Sequence, residues 1–321
     1  MEMRKRHTMR ELLRTTDLVR LSWLTALLAD QEIEAFILDG HTSILEGSAG
    51  AIPRRLLVAD PDYDAARRIL ANAGEIESRA PDLDSLLDGR VTLRQPENGY
   101  RAAIDPVLLA AATPAVAGDV LDVGAGVGAA ALCYSVRVPG ARVTGLELQP
   151  EMAGLATENA ARNDLADRVR VLEGDLLRPP EAIVLSSFDH VMANPPYMPP
   201  DRGGPPPDPS KATAMVEGEA DLAAWIEFCL SRVRPKGSVT LVHRADRLDE
   251  LLALFRERAG GIVVIPLWPG GGRPAKRVIV RARRDVRAPL QLTAGLTLHG
   301  EDGQYTEEAL AVLRDGEALV V

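Results

Sequence analysis

The tetrapeptide Asn194-Pro195-Pro196-Tyr197 directly follows the apolar run Asp189-His190-Val191-Met192-Ala193. Two prolines fix the backbone and carry no N–H donor. The carbonyl of Pro195 and the amide oxygen of Asn194 can therefore converge on one NH₂ group as a pair of acceptors, with the Tyr197 ring available to stack on its planar carrier. Such a pair suits a poor nucleophile. An adenine or amide nitrogen has a delocalised lone pair, and accepting hydrogen bonds from both of its hydrogens concentrates electron density on the nitrogen as it attacks. Positioning and electrostatics then carry the reaction without a strong base.

Upstream, Val120-Leu121-Asp122-Val123 runs into Gly124-Ala125-Gly126-Val127-Gly128, a turn tight enough for a ligand to approach backbone N–H groups. Gly124, Gly126 and Ala129 also satisfy the dinucleotide fingerprint, so the turn alone leaves two ligands open. Asp122 separates them. A carboxylate there repels a pyrophosphate but suits a ligand bearing an ammonium and a sulfonium, which is S-adenosyl-L-methionine. Glu147 ends the next strand, where it can accept from both hydroxyls of a ribose. Asp175, after Leu172-Glu173-Gly174, can accept from an adenine amino group. Three carboxylates at the ends of successive strands favour an adenosine, because that edge of a parallel sheet lines the cleft.

These residues need a sheet to hold them. Strands are expected at Val120–Val123, Val143–Glu147, Val169–Leu172, His190–Ala193, Val239–His243, Ile262–Leu267 and Val278–Arg281, with helical patterns between, a doubly wound α/β arrangement. Residues 8–74 read separately as strand (Arg10–Arg14), helix (Leu18–Leu28), strand (Ala35–Leu38), loop, strand (Arg55–Ala59) and helix (Tyr63–Ala73), a small βαββα unit. Leu18, Leu21, Leu24, Leu27 and Leu28 form one stripe of its first helix, and Gly47, Gly50 and Pro53 mark the loop. The expected domains are 1–78 and 91–321, with a charged linker at 79–90.

The chain has 321 residues and a net charge of −9, which opposes a large nucleic-acid footprint. Between Ser231 and Leu290, however, 14 Lys and Arg face only 5 Asp and Glu, a candidate RNA face. No apolar run is long enough to span a bilayer, and the basic N-terminus lacks the apolar core of a secretion signal, so a cytoplasmic protein is expected. Cys133 and Cys229 have no paired spacing and are read as buried thiols; no metal site is expected. His243, Trp225, Phe228 and Leu230 are assigned to packing. Trp268, before a glycine-rich turn, is balanced between stacking on a base and packing.

Taken in order, Gly124-Ala125-Gly126, Glu147, Asp175 and Asn194-Pro195-Pro196-Tyr197 resemble the class I amino-methyltransferases, from about Val91 to the C-terminus. Within that class the chain is most similar to the tRNA adenine-N6 methyltransferases acting beside the anticodon of a valine tRNA. Three stretches carry this narrower resemblance: Arg94-Gln95 through Asn98-Gly99-Tyr100-Arg101 with Asp105, Arg273-Pro274-Ala275-Lys276-Arg277-Val278, and Leu298-His299 with Gly303-Gln304-Tyr305-Thr306. The resemblance implies a seven-stranded Rossmann-like methyltransferase sheet, with Tyr100, Asp105, Asp122, Gly124, Gly126, Glu147, Asp175 and Asn194 at the cofactor. It implies Asn194, Pro195, Pro196 and Tyr197 at the transferred methyl, and Arg273, Lys276 and Arg277 on tRNA. Residues 8–74 resemble small ferredoxin-like domains described as prokaryotic signal-transducing proteins, a departure from the compact single-domain pattern; the Pro-rich loop Met198–Ser210 is a second departure. A release-factor glutamine-N5 methyltransferase would use the same Asn-Pro-Pro-Tyr acceptors. A catalytically silent regulatory protein and a nicotinamide oxidoreductase are weaker alternatives.

Overall fold

The computed structural model describes residues 9–15, 17–29, 33–38, 54–59, 62–73, 75, 83–96, 102–197 and 220–319. Tyr100, the loop glycines Gly47 and Gly50 with Pro53, and the Met198–Ser210 segment lie outside them. The chain divides into two compact units, Met1–Pro81 and Asp82–Val321.

In the first unit, β1 (Met9–Thr15), β2 (Ala35–Leu38) and β3 (Arg54–Ala59) form an antiparallel sheet in the order β1-β3-β2. Helices α1 (Leu18–Ala29) and α2 (Tyr63–Asn72) accompany it. Leu21, Leu24 and Leu28 on the α1 stripe bury against Leu56, Val58, Ala66 and Leu70. The α+β pattern follows the apolar periodicity of the sequence.

The second unit opens with a hairpin, β4 (Leu83–Leu86) and β5 (Val91–Arg94), where a linker through residue 90 was expected. Leu-Asp-Ser-Leu shows little strand periodicity, and the turn places two residues other than glycine, Leu87 and Asp88, at φ of 52° and 56° ahead of Gly89 at 82°. Left-handed backbone at a leucine is not a signal that composition gives. Leu87, Val91 and Leu93 are buried and anchor the hairpin in the main core.

All seven expected strands are present: β6 (Asp119–Val123), β7 (Arg142–Glu147), β8 (Val169–Glu173), β9 (Phe188–Ala193), β10 (Val233–Arg244), β11 (Ala259–Trp268) and β12 (Arg277–Arg284). Two short strands, β13 (Gln291–Leu292) and β14 (Leu296–Thr297), pair with β11 and were not anticipated. The sheet order is β8-β7-β6-β9-β10-β12-β11-β13, with β12 antiparallel to both neighbours. The chain leaves β6 toward β7 and β8, then returns to β9 on the other side of β6. The β6/β9 boundary is thus the topological switch point, and a cleft opens beyond their carboxyl ends.

One face of the sheet is covered by α3 (Asp105–Ala112), α4 (Ala129–Arg137), α5 (Pro150–Arg162) and α9 (Glu307–Leu313). The other carries α6 (Glu181–Val184), α7 (Leu222–Arg232) and α8 (Leu248–Phe255). With both faces covered, the central strands are mostly apolar, as Val191, Met192 and Ala193 illustrate, with buried polar residues such as Asp122, Thr144, His190 and Thr240 among them. Cys133 and Cys229 are buried free thiols. Among the described residues no helix is long and apolar enough to cross a membrane.

The hairpin is fastened by two amides of α5 and its C-cap. Asn159 accepts from Arg94 N–H at 2.7 Å and donates to the carbonyls of Arg94 and Val127 at 2.9 and 3.0 Å. Asn163 accepts from Thr92 N–H at 2.8 Å and donates to its carbonyl at 2.7 Å. Four residues of helix rise about 6 Å and two of strand about 6.6 Å, so the amides match the strand repeat. Asn159→Ala should leave a buried N–H and two carbonyls unpaired and destabilise the protein by roughly 2–4 kcal/mol. Urea unfolding of the variant measures this loss.

Candidate active site

A cavity of about 490 Å³ lies at the switch point, with walls from the ends of β6, β7, β8 and β9. Its floor is the glycine turn. Gly124, Gly126 and Gly128 hold φ of 70°, 55° and 86°, a run of left-handed backbone for which glycine is needed. The N–H groups of Gly124 and Ala125 both donate to the Leu146 carbonyl, at 2.8 and 3.1 Å, which pins the turn to the end of β7. A Cβ on Gly124 would lie 2.6 Å from Cη2 of Trp225, whereas one on Gly126 would meet no protein atom within 4 Å. The turn is therefore packed on one side and open on the other, where a ligand can approach its backbone.

Two carboxylates enter this cavity from adjacent strands. Asp122 is 2% exposed and accepts from Ala131 N–H at 3.1 Å, in the first turn of α4. Burial pushes its pKa up to about 7, opposed by that N–H, with the charge of Glu147 adding to the rise. Glu147 is 6% exposed, and its two oxygens accept from Gly126 N–H at 2.8 Å and Gln149 N–H at 2.9 Å. Burial raises its pKa as well, against the pull of those backbone donors. Two buried carboxylates on adjacent strands, with the charge of Glu147 adding to the cost of Asp122, favour a cationic ligand. Asp175 lines the same cavity but is tied down, accepting from Leu177 N–H at 2.9 Å and pairing with Arg178 at 3.2 Å. Leu148, Leu176 and Leu177 supply apolar surface beside these acids, suited to a planar ring.

Asn194, Pro196 and Tyr197 also line the cavity, emerging from β9 beside the glycine turn, since Val123 and Ala193 are register partners. Asn194 Oδ1 is buried and has no hydrogen-bond partner among the described residues. Pro195 is itself buried. The Tyr197 ring meets His243 edge-on, at a centroid distance of 6.2 Å and an interplanar angle of 86°. His243 is 1% exposed and its Nδ1 accepts from Arg244 N–H at 2.9 Å; burial drives its pKa down to about 4, so the ring is neutral. It packs behind the site, as a lone strand-end histidine was expected to.

Two expectations change. Asp105 does not line the cavity: its carboxylate forms an ion pair with Arg277 at 2.8 Å, while its other oxygen is buried without a partner among the described residues. The neighbouring Pro106 takes the wall position. Arg277, expected on tRNA phosphates, is engaged by this pair. The basic surplus is also divided. Strand β12 separates Arg277 from Arg284 by about 23 Å, so the segment's basic residues lie at both edges of the sheet. Many are used internally: Arg232, Arg281, Arg283 and Arg284 donate to backbone carbonyls, and Arg234 pairs with Asp189 at 2.5 Å. Arg273 and Lys276 remain exposed, just ahead of the Arg277 end of β12.

Besides Pro106 and the three leucines, sequence reasoning missed other wall residues, among them Trp225, Met152 and Gln95. Trp225 is a core residue that also faces the cavity, a dual role that its helical spacing does not show. Met152 lies one turn into α5. Gln95 closes the far wall, where its amide accepts from Ala102 N–H at 2.7 Å and donates to Asp84 at 2.6 Å.

Residues 120–202 match the family described as "Methyltransferase domain", and residues 9–74 the family described as "Putative prokaryotic signal transducing protein". A tRNA1(Val) (adenine(37)-N6)-methyltransferase from Porphyromonas gingivalis is 32% identical over 233 residues, covering 68% of this chain and 89% of that protein. The Aeromonas hydrophila enzyme of the same name is 29% identical over 210 residues, or 64% of this chain and 86% of that one. A release factor glutamine methyltransferase from Deinococcus radiodurans is 35% identical over 173 residues, 51% of this chain and 58% of that one. Among solved structures, a predicted O-methyltransferase from Agrobacterium tumefaciens superposes with a TM-score of 0.54 at 28% identity, over 65% of this chain and 94% of that one. S-adenosylmethionine is the cofactor that this family uses, and the open glycine turn with its paired buried acids fits it.

Removing the Glu147 side chain should weaken S-adenosylmethionine binding by about 1–3 kcal/mol, the cost of leaving ribose hydroxyls without a charged acceptor. Calorimetry on Glu147→Ala and the milder Glu147→Gln measures it. Asp122 adds a pH dependence. Its folded pKa is raised from 3.8 to about 7, so the cavity binds a proton below about pH 7 that a cationic ligand must displace. Affinity should fall as pH drops below about 7 and level off above it, and Asp122→Asn should flatten that profile.

Proposed function

Because this chain belongs to the tRNA1(Val) (adenine(37)-N6)-methyltransferase family, we propose that it transfers a methyl group from S-adenosylmethionine to the exocyclic N6 of an adenine in tRNA, at the adenosine beside the anticodon of a valine tRNA. The observation that supports this most is the unpaired Asn194 Oδ1. A buried acceptor without a donor costs about 1–3 kcal/mol, a cost that a substrate NH₂ group relieves on binding.

When bound, S-adenosylmethionine supplies an electrophilic methyl carbon on its sulfonium. Asn194 Oδ1 accepts one hydrogen of the adenine amino group and the Pro195 carbonyl accepts the other. Tyr197, backed by His243, offers its ring to the adenine plane. The nitrogen's lone pair bonds to the methyl carbon as the carbon–sulfur bond breaks to leave a neutral thioether. The positive charge that develops on the nitrogen makes the two acceptors worth more than they were to the neutral base, until one amino proton is lost to water. Asp122 and Glu147 hold the cofactor end of the cleft. The exposed Arg273 and Lys276 contact the RNA backbone, with Arg277 contributing less because Asp105 holds it. Residues 1–78 are read as a separate small α+β domain.

The test is to incubate the protein and labelled S-adenosylmethionine with unmodified total tRNA and, separately, with a release factor. Label recovered as N6-methyladenine in valine tRNA supports the proposal; label in a glutamine of the release factor replaces it with the protein-substrate reading. In the same assay, Asn194→Ala should lower turnover by roughly 10²–10³ with cofactor affinity nearly intact. Neutralising Arg273 and Lys276 should instead weaken tRNA binding and flatten its salt dependence, by up to about 0.9 log unit for each phosphate no longer neutralised.

A further inference from the structure

A second concavity lies on the same edge of the sheet as the active site. It is walled by Trp268, Gly270, Gly271, Gly272, Arg273 and Pro274, with Thr297 opposite. Trp268 ends β11, and the registers Leu267 with Arg277 and Arg244 with Arg277 place it at the edge beyond which Asn194 emerges from β9. Three strand spacings separate β11 from β9, which puts this cleft on the order of 14 Å from the catalytic tetrapeptide. The cleft is preformed. Trp268 Nε1–H donates to the Ala294 carbonyl at 2.9 Å, which fixes the indole while leaving it half-exposed. On the far side His299 Nδ1–H donates to the Pro269 carbonyl at 3.0 Å, and its ring stacks on Tyr305 at 4.7 Å and 25°, bracing the start of the glycine turn. Gly271 and Gly272 border open space, since a Cβ on either would meet no protein atom within 4 Å.

A half-exposed indole, an exposed guanidinium and bare glycine backbone in one concavity match what an unstacked nucleotide requires: a π face, a charge for its phosphate, and N–H groups within reach. We infer that the Trp268–Arg273 cleft is a second nucleobase subsite, which takes a base of the RNA a few nucleotides from the one being methylated. Trp268 stacks on that base and Arg273 holds the adjoining phosphate, so the target adenine is presented to Asn194 by an anchored strand. This rests on the RNA reading of the active site.

The experiment compares wild type with Trp268→Ala, Trp268→Phe and Gly271→Val, using an unmodified valine tRNA transcript as the varied substrate. Gly271→Val removes no hydrogen bond and places its side chain where the protein has no atoms, so it narrows the cleft without disturbing the fold. Trp268→Ala and Gly271→Val should each raise KM for tRNA roughly ten-fold, with kcat and cofactor affinity within about two-fold of wild type, because one base stack is worth about 1–3 kcal/mol. Trp268→Phe should recover most of the loss. Quenching of protein fluorescence on adding the transcript should diminish in Trp268→Phe. An unchanged KM in Trp268→Ala and Gly271→Val, with wild type active on tRNA, overturns the subsite alone. Loss of cofactor affinity in both variants assigns the cleft a structural role and also overturns it. A wild-type protein inactive on the transcript and active on a release factor overturns the RNA reading on which the subsite stands.

Discussion

The shape of the cleft depends on the Glu147 carboxylate. One oxygen takes the Gly126 N–H and the other the Gln149 N–H, so a single side chain joins the glycine turn after β6 to the start of the helix after β7. Gly124 and Ala125 reinforce the joint through the Leu146 carbonyl. Were the turn free to move, Asp122, the open backbone at Gly126 and the acceptors at Asn194 would not hold a common orientation. The carboxylate also keeps lone pairs for a ligand while satisfying the turn. It is thus a structural strut that still has acceptor capacity facing the cavity, because a carboxylate can accept about four hydrogen bonds.

Among the described residues, buried polar atoms without a partner include Asn194 Oδ1 and Asp105 Oδ1, but also Ser135 Oγ, His190 Nε2 and Thr240 Oγ1 away from the cavity. Asn194 Oδ1 lies over the catalytic cavity, and Asp105 Oδ1 lies behind the ion pair at its rim. The raised pKa of Asp122 marks a related cost, that of a charge held in burial beside its neighbour. A buried group without a partner is destabilising, and a bound ligand that completes it recovers that cost. His243 behind Tyr197 is neutral and used for packing, although its Nε2 too is buried without a partner among the described residues.

Much of this arrangement was legible in the sequence because a doubly wound sheet writes its strands as apolar runs and its site as the residues just after them. Asp122, Gly124, Gly126, Glu147, Asp175, Asn194 and Tyr197 all meet in one cavity for that reason. The β4–β5 hairpin was missed although Asp88-Gly89 is a turn dipeptide, because its strands are only four residues long and show little alternation, and its turn also places Leu87 in left-handed backbone. Trp225 was hidden because one helical face serves core and cavity together. The basic segment was misleading for a geometric reason: counting charge along the chain ignores that a strand carries its two ends to opposite edges of a sheet, and that arginines cap carbonyls as readily as they bind phosphate. Asp105 was drawn to the cofactor by resemblance, whereas the adjacent proline holds the wall and the aspartate holds Arg277.

The two asparagines that fasten β5 hold it mainly through main-chain groups of Thr92 and Arg94, with one long bond from Thr92 Oγ1 to Asn163 Oδ1 at 3.4 Å besides. An amide that reads backbone is indifferent to the side chain it passes. Related sequences can therefore drift at Thr92 and Arg94, the positions facing α5, so long as Val91 and Leu93 stay apolar to fill the core. Asn159 and Asn163 have no such latitude: no other side chain offers a donor and an acceptor in one plane at that reach except glutamine, which is a methylene too long. The strand's identity is in this sense stored on the helix, and a substitution there would be felt as a loss of the strand's place.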